Sequence, residues 1–384
     1  MNFTLNAEQQ LLQDSVRRFI DRDYGFEVRT ALVKARTTSN ARHWQTFADN
    51  GWLAAALPES CGGLGGSLVD TVLIAQQLGR ALVIEPYLGC AVLAAQTLLA
   101  AGTPAQREQW LPALADGSSK FALAYSEVQS RGFPEPVALS ATATPGGYLL
   151  TGSKTIVLGG ADADALIVSA RTEDADGITL MVVEADAPGL TRRALPLHDG
   201  SFAAELTFDA VKVAREAVLG EPGNGLGALQ HGLAQATAVL GAELVGGMEK
   251  ALELTAEYLK VRKQFGVPIG SFQALQHRIA DMAAEMELAR SMLYALLASL
   301  ESDDARTRQR TVSQAKAVIG RAARFVCGQA IQLHGGIGMT EEYQVGHYYK
   351  RAVVAELLFG SSDAHDAACA AQLYKDLLQK DCQA

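Results

Sequence analysis

The stretch from Leu226 to Val261 contains no proline and repeats its apolar residues at helical spacing. It predicts one helix of about 36 residues, about 54 Å long at 1.5 Å per residue. Such a helix needs partners along its length, and Phe272–Leu300, Thr311–Gly335, Tyr348–Leu358 and Ala364–Leu378 are periodic too. Long helices joined by short turns predict an antiparallel bundle. The first hands over to the second through Tyr258–Gln273, Tyr-Leu-Lys-Val-Arg-Lys-Gln-Phe-Gly-Val-Pro-Ile-Gly-Ser-Phe-Gln, where Phe265, Gly266 and Pro268 mark a turn. Arg262 and Gln264 then stand at a helix end, where backbone groups are free. A cation and an amide there suit a phosphate-bearing cofactor, and a solvated arginine at a plain corner fits the spacing as well.

The chain before this bundle has two textures. Residues 1–118 read as a helical domain: Leu11, Leu12, Val16, Phe19 and Ile20 recur behind Asn6, and Trp44, Phe47, Trp52 and Leu53 cluster around Gly51. Thr103 and Pro104 open another helix as N-cap and first residue. The glycines of Pro58–Gly66 follow no strand and precede no Lys-Ser/Thr, so this stretch reads as a flexible inter-helix loop rather than a phosphate cradle. From about Lys120 the period shortens. Phe121–Tyr125, Tyr148–Leu158, Ala165–Ala170, Ile178–Glu184 and Ala203–Val213 read as strands of a small β-barrel or sandwich spanning 119–224, with the bundle at 225–384.

Composition narrows the function. A net charge of −9 without a basic block argues against nucleic acid. No stretch qualifies as a membrane span or a secretory signal. The five cysteines, Cys61, Cys90, Cys327, Cys369 and Cys382, are scattered without metal-ligand spacing, which fits a reduced, cytoplasmic setting. His231, His277, His334 and His365 are dispersed and read as ordinary core or surface histidines.

Two motifs, Arg262-Lys-Gln-Phe-Gly-Val-Pro-Ile-Gly-Ser-Phe-Gln and Gln332-Leu-His-Gly-Gly-Ile-Gly, together with the helical–β–helical order, resemble the acyl-CoA dehydrogenase family over essentially the whole chain. Ala81–Leu88 and Glu127–Arg131 are most similar to its heteromeric branch, the small-subunit type of pimeloyl-CoA dehydrogenase and the paired dehydrogenases of bacterial steroid side-chain degradation. The resemblance implies FAD held between two subunits. Arg262, Gln264, Phe265, Gln273, Gln332, Gly335 and Gly336 would reach a neighbour's cofactor, and Ser361 falls in the short flavin loop Phe359-Gly-Ser-Ser-Asp. It also implies α,β-desaturation of an acyl-CoA thioester, with a carboxylate taking the α-proton and the flavin the β-hydride.

The base is where the chain departs from that pattern. Phe359 stands where many members carry Glu, and Ala236 where others carry it on the long helix. Glu243 lies seven residues further along the same face, about 10 Å down the axis. It is the remaining candidate base, and the weight lies with a carboxylate paired to an Arg or Lys; Glu356 reads likewise. Thr237 replaces a substrate-contacting Arg, Val128-Gln-Ser-Arg131 replaces a glycine-rich stretch, and Ile156-Val-Leu158 replaces Trp-x-Thr at the flavin wall. Residues serving a neighbour's flavin thus match the family, while those serving the chain's own site do not. The leading expectation is the small, non-catalytic subunit of an α2β2 acyl-CoA dehydrogenase, completing the FAD site of a larger partner. The alternatives are a self-sufficient homo-oligomer using Glu243, or a flavin monooxygenase of similar plan. Whether the acyl group is fatty, dicarboxylic or steroidal is not legible.

Overall fold

The computed structural model describes residues 5–381, with side chains to residue 376; Cys382 lies outside the described residues. Its helical parts and β-region follow the expected order along the chain. Backbone contacts divide it into two compact units: residues up to Phe26, Val72–Val83 and Thr237 onward form one, and Glu27–Thr71 with Ile84–Ala236 the other.

In the second unit, α2 (Phe26–Lys34) is followed by α3 (Ala41–Asp49), whose buried Trp44 and Phe47 cluster with Trp52. The Pro58–Gly66 loop is tied down rather than flexible. Gly63, Leu64, Gly65 and Gly66 donate backbone hydrogen bonds to Pro58, Ala54, Leu57 and Ala55, leaving few groups to water. Beyond α4 (Leu68–Ala81), the chain turns helical again in two pieces, a wide π-turn over Tyr87–Ala94 and then α5 (Ala95–Ala101). A Cβ on Gly89 would meet the Leu158 carbonyl oxygen at 2.6 Å, so strand and helix backbones nearly touch there. α6 (Pro104–Ala115) starts on the expected cap, Thr103 accepting from the Gln106 amide while the Gln106 side chain returns the bond.

Seven strands follow, β1 (Phe121–Ala124), β2 (Ser140–Thr144), β3 (Gly147–Leu158), β4 (Ala165–Thr172), β5 (Thr179–Glu184), β6 (Leu190–Pro196) and β7 (Phe202–Ala214). They form one mixed sheet in the order β1-β4-β2-β3-β7-β6, with β5 also paired to β4. β4 is parallel to β1 and β2 and antiparallel to β5, and its Ala165–Ala170 segment is buried on both faces. β3 and β7 make the longest ladder, interrupted between Lys154 and Val157. β2 and β6 have no counterpart in the sequence reading. β2 is Ser-Ala-Thr-Ala-Thr, and β6 is an edge strand with Arg192 and Arg193 outward. Neither carries the apolar alternation that marks a half-buried strand.

The first unit is a helical bundle. α1 (Ala7–Asp23) is closed by a capping box between Asn6 and Gln9. α7 (Gly225–Val261) is the long helix, followed by a two-stranded hairpin, β8 (Lys263–Gln264) and β9 (Val267–Pro268), and then α8 (Gln273–Leu300). α9 (Ala305–His334), α10 (Val345–Leu357) and α11 (Ser362–Asp381) complete it. α4 crosses α7 at backbone contact: Cβ atoms on Gly79 and Gly246 would lie 2.1 Å from the Glu243 carbonyl oxygen and 1.9 Å from that of Gln76. Only glycine allows that approach, and it fixes the stretch of α7 that carries Glu243.

Candidate functional site

The Arg262 corner is a hairpin rather than a simple turn. Arg262 N–H continues the helix to Tyr258 O at 2.9 Å, and its carbonyl accepts from Ile269 N at 2.8 Å. Between the two short strands, Phe265 and Gly266 both take positive φ, +54° and +82°, as a two-residue type I′ turn demands. Glycine does this freely; for phenylalanine it is a strained position. Phe265 is nonetheless 93% exposed, in edge contact with Phe272 at 6.1 Å. Beyond that one edge contact, a strained and almost fully exposed ring adds little to the isolated fold. Val261 through Pro268 and Ser271 through Gln273 are all exposed, Gln264 bonds only its neighbour's carbonyl, and among the described residues Arg262 makes no ion pair.

The second motif closes α9. Gly335 sits at φ +65°, ψ −139°, a region open to glycine alone. Cβ atoms on Gly335 or Gly336 would meet nothing within 4 Å, so both backbones border open space, with Gln332 exposed beside them. His334, just before, is buried. Its ring stacks on Tyr258 at 4.4 Å and 27° and leans on Tyr343 at 5.0 Å, and Tyr258 is the residue whose carbonyl caps onto Arg262. The two motifs, some seventy residues apart, are thereby brought together.

At the expected base loop, Phe359 is 6% exposed, its backbone at φ +61°. Buried groups hold the loop. Lys316 Nζ donates to Gly360 O at 2.9 Å and Glu356 O at 3.3 Å. Burial pushes that ammonium down to about 8, against the pull of the Glu356 charge. His365 donates from Nε2 to Phe359 O at 2.9 Å and accepts at Nδ1 from Ser313 at 3.0 Å, and burial lowers its pKa. Both Glu356 oxygens are used by Ser362, through its amide at 2.7 Å and its hydroxyl at 2.8 Å. Ser361 Oγ accepts from Ala364 N, capping α11. The alternative base position, Ala236, is buried. Glu243 is held by both oxygens: Arg351 Nε reaches Oε1 at 2.6 Å and Nη2 reaches Oε2 at 2.9 Å. A bidentate guanidinium engages both carboxylate oxygens that a base would use.

In the β-region, Glu127 and Lys154 form a buried pair across 27 residues that leaves no local trace in the sequence. Lys154 is 1% exposed and donates to Glu127 at 2.7 Å, Ser169 Oγ at 2.9 Å and Tyr125 O at 3.2 Å. Glu127 also accepts from the amides of Ala138 and Leu139. Two residues on, Ile156 takes φ +51°, an outlier for a β-branched residue, at the irregularity in the β3–β7 ladder.

Family profiles match the chain from end to end: the acyl-CoA dehydrogenase N-terminal domain at residues 6–118, the middle domain at 122–211 and the C-terminal domain at 223–374. The chain belongs to the acyl-CoA dehydrogenase family. It is 30% identical to the probable acyl-CoA dehydrogenase YngJ of Bacillus subtilis (strain 168), over 98% of this chain and 100% of the relative. Among solved structures, the ChsE4-ChsE5 complex from Mycobacterium tuberculosis superposes with a TM-score of 0.88 at 28% identity, covering 97% of this chain and 99% of that one. A variant of the Tcur3481-Tcur3483 steroid ACAD gives 0.88 at 30%, covering 98% and 100%. Acyl-CoA dehydrogenases are flavoproteins that bind FAD. The residues of the two motifs fit that cofactor: an exposed cation without a counter-ion among the described residues, linked through the Tyr258–His334 stack to a glycine pair bordering open space, suits a dinucleotide arriving from outside the chain.

Proposed function

We propose that this chain is the small, non-catalytic subunit of an FAD-dependent acyl-CoA dehydrogenase acting on an acyl-CoA thioester, and that its Arg262 corner and Gly335-Gly336 loop complete the FAD site of a larger subunit in an α2β2 assembly. The observation that carries this is the state of the carboxylates. Phe359 and Ala236 occupy the two base positions, and Glu243 is clamped at both oxygens by Arg351. A general base needs a free lone pair within reach of the proton it removes. By contrast, among the described residues Arg262 makes no ion pair, and the exposed Gln264 side chain bonds only the carbonyl of its neighbour Lys263. FAD held by the pair of subunits would supply the hydride acceptor. Arg262 would donate to its pyrophosphate, Gln264, Gln273 and Gln332 would offer amides, and Phe265 would exclude water. The likeness to a ChsE4-ChsE5 complex and a Tcur3481-Tcur3483 enzyme, each described by two names, supports the paired arrangement.

Purification decides between this and a self-sufficient enzyme. The chain alone is expected to be colourless and without dye-reducing activity on acyl-CoA, and yellow and active when co-expressed with its larger partner. A lone chain that is yellow and turns over acyl-CoA overturns the proposal. Glu243→Gln is expected to leave the activity of the complex within about twofold of wild type; a base would lose about a hundredfold or more.

A further inference from the structure

We infer that His334 is a positioning residue: its ring clamps the end of α7 to the end of α9, so that the Arg262 corner and the Gly335-Gly336 loop meet FAD as one rigid surface. The inference rests on the cofactor-facing role proposed above for those two motifs. Four observations carry it. The ring lies face to face with Tyr258, one helical turn before Arg262, while its other neighbour, Tyr343, is half-buried beyond the Gly335–Met339 turn. The turn folds back on the same residue, since a Cβ on Gly338 would sit 3.0 Å from His334 Cβ and 2.9 Å from Ile331 O. Nδ1 bonds the Ala330 carbonyl at 2.8 Å. A carbonyl only accepts, so Nδ1 carries the proton, and burial lowers the ring's pKa and keeps it neutral. Nε2 is then a buried acceptor, and it has no partner among the described residues. An unsatisfied acceptor is a cost to the fold. What offsets that cost is the face of the ring.

The requirement for a face and not for a nitrogen separates this role from that of a ligand. It is tested on the FAD-loaded complex of this chain with its larger partner, by following the rise of flavin fluorescence as FAD dissociates after dilution, with native mass recorded in parallel. His334→Leu and Tyr258→Leu are each expected to speed FAD release about threefold to tenfold, the worth of an aromatic pair. The double variant is expected to be no faster than the faster single, because both remove one contact. His334→Phe, which keeps the face and drops the orphan nitrogen, is expected to release FAD at the wild-type rate. Native mass is expected to stay unchanged in all four. Wild-type release in both leucine variants, additive effects in the double, or a His334→Phe as fast as His334→Leu would each overturn the clamp. If His334→Leu does not fold, Tyr258→Leu, altered at a half-buried position, carries the same comparison. Should the wild-type chain prove to hold FAD as a homo-oligomer, the subunit proposal fails, and the same release assay on that oligomer still decides the clamp.

Discussion

Glu127→Ala is expected to destabilise the chain by about 3–5 kcal/mol, the usual effect of leaving one member of a buried ion pair without the other. Lys154 has no solvent to turn to: its side chain is fully buried, and the two contacts that remain, Tyr125 O and Ser169 Oγ, carry no countercharge. Burial already pushes the ammonium down to about 8 with Glu127 in place. Between that value and the ordinary lysine value of about 10.4 the unfolded chain binds the extra proton, so stability climbs with pH across the window. Without Glu127 the folded pKa falls further, so the deficit should be largest near neutrality and narrow as pH rises towards 10. Urea unfolding at pH 7 and pH 9.5 measures both. A loss below about 1 kcal/mol at pH 7 would show that the pair is not what holds this region. The same substitution removes the acceptor for two amides, so the segment between Glu127 and Leu139 should become susceptible to proteolysis.

Arg262→Ala is the functional counterpart, expected to weaken FAD binding by the assembled complex about tenfold to a hundredfold. That range corresponds to a hydrogen bond to a charged group. Stability of the chain itself should stay within about 0.5 kcal/mol of wild type, because the side chain is exposed and makes no ion pair among the described residues. Arg262→Lys should recover part of the loss, since an ammonium keeps the charge but not the planar fork. Equilibrium titration of the apo-complex with FAD reads both. Unchanged affinity in Arg262→Ala would remove the corner from the cofactor site.

Much of the architecture was legible because it is written locally. The helices of the bundle announce themselves by period, and α1 and α6 by capping boxes that lie within four residues of sequence. Apolar runs mark most of the β-region but not β2 and β6, whose residues are mostly small, polar or charged and whose pairing comes from their neighbours. The corner was read as a turn because a hairpin with two-residue strands leaves no alternation to detect. The motif residues were visible at once. The groups that set the state of the base positions were not. Arg351 meets Glu243 across 108 residues, and Lys316 meets Gly360 across 44. Nothing in Gln-Ala-Lys-Ala says that this lysine is buried. His334 looks in sequence like one of several dispersed histidines, since a stacking partner 76 positions earlier leaves no local trace.

The exposed Phe265 has a meaning for the life of the chain before assembly. A newly made copy would display a strained aromatic hairpin, and Val261 and Met339, at or beside the two motifs, are exposed as well. Exposed apolar surface of this kind is prone to unwanted association, and in the assembly proposed above the larger subunit would cover it. On that proposal, the abundance of this chain would track that of its partner, because surplus copies would keep the surface exposed.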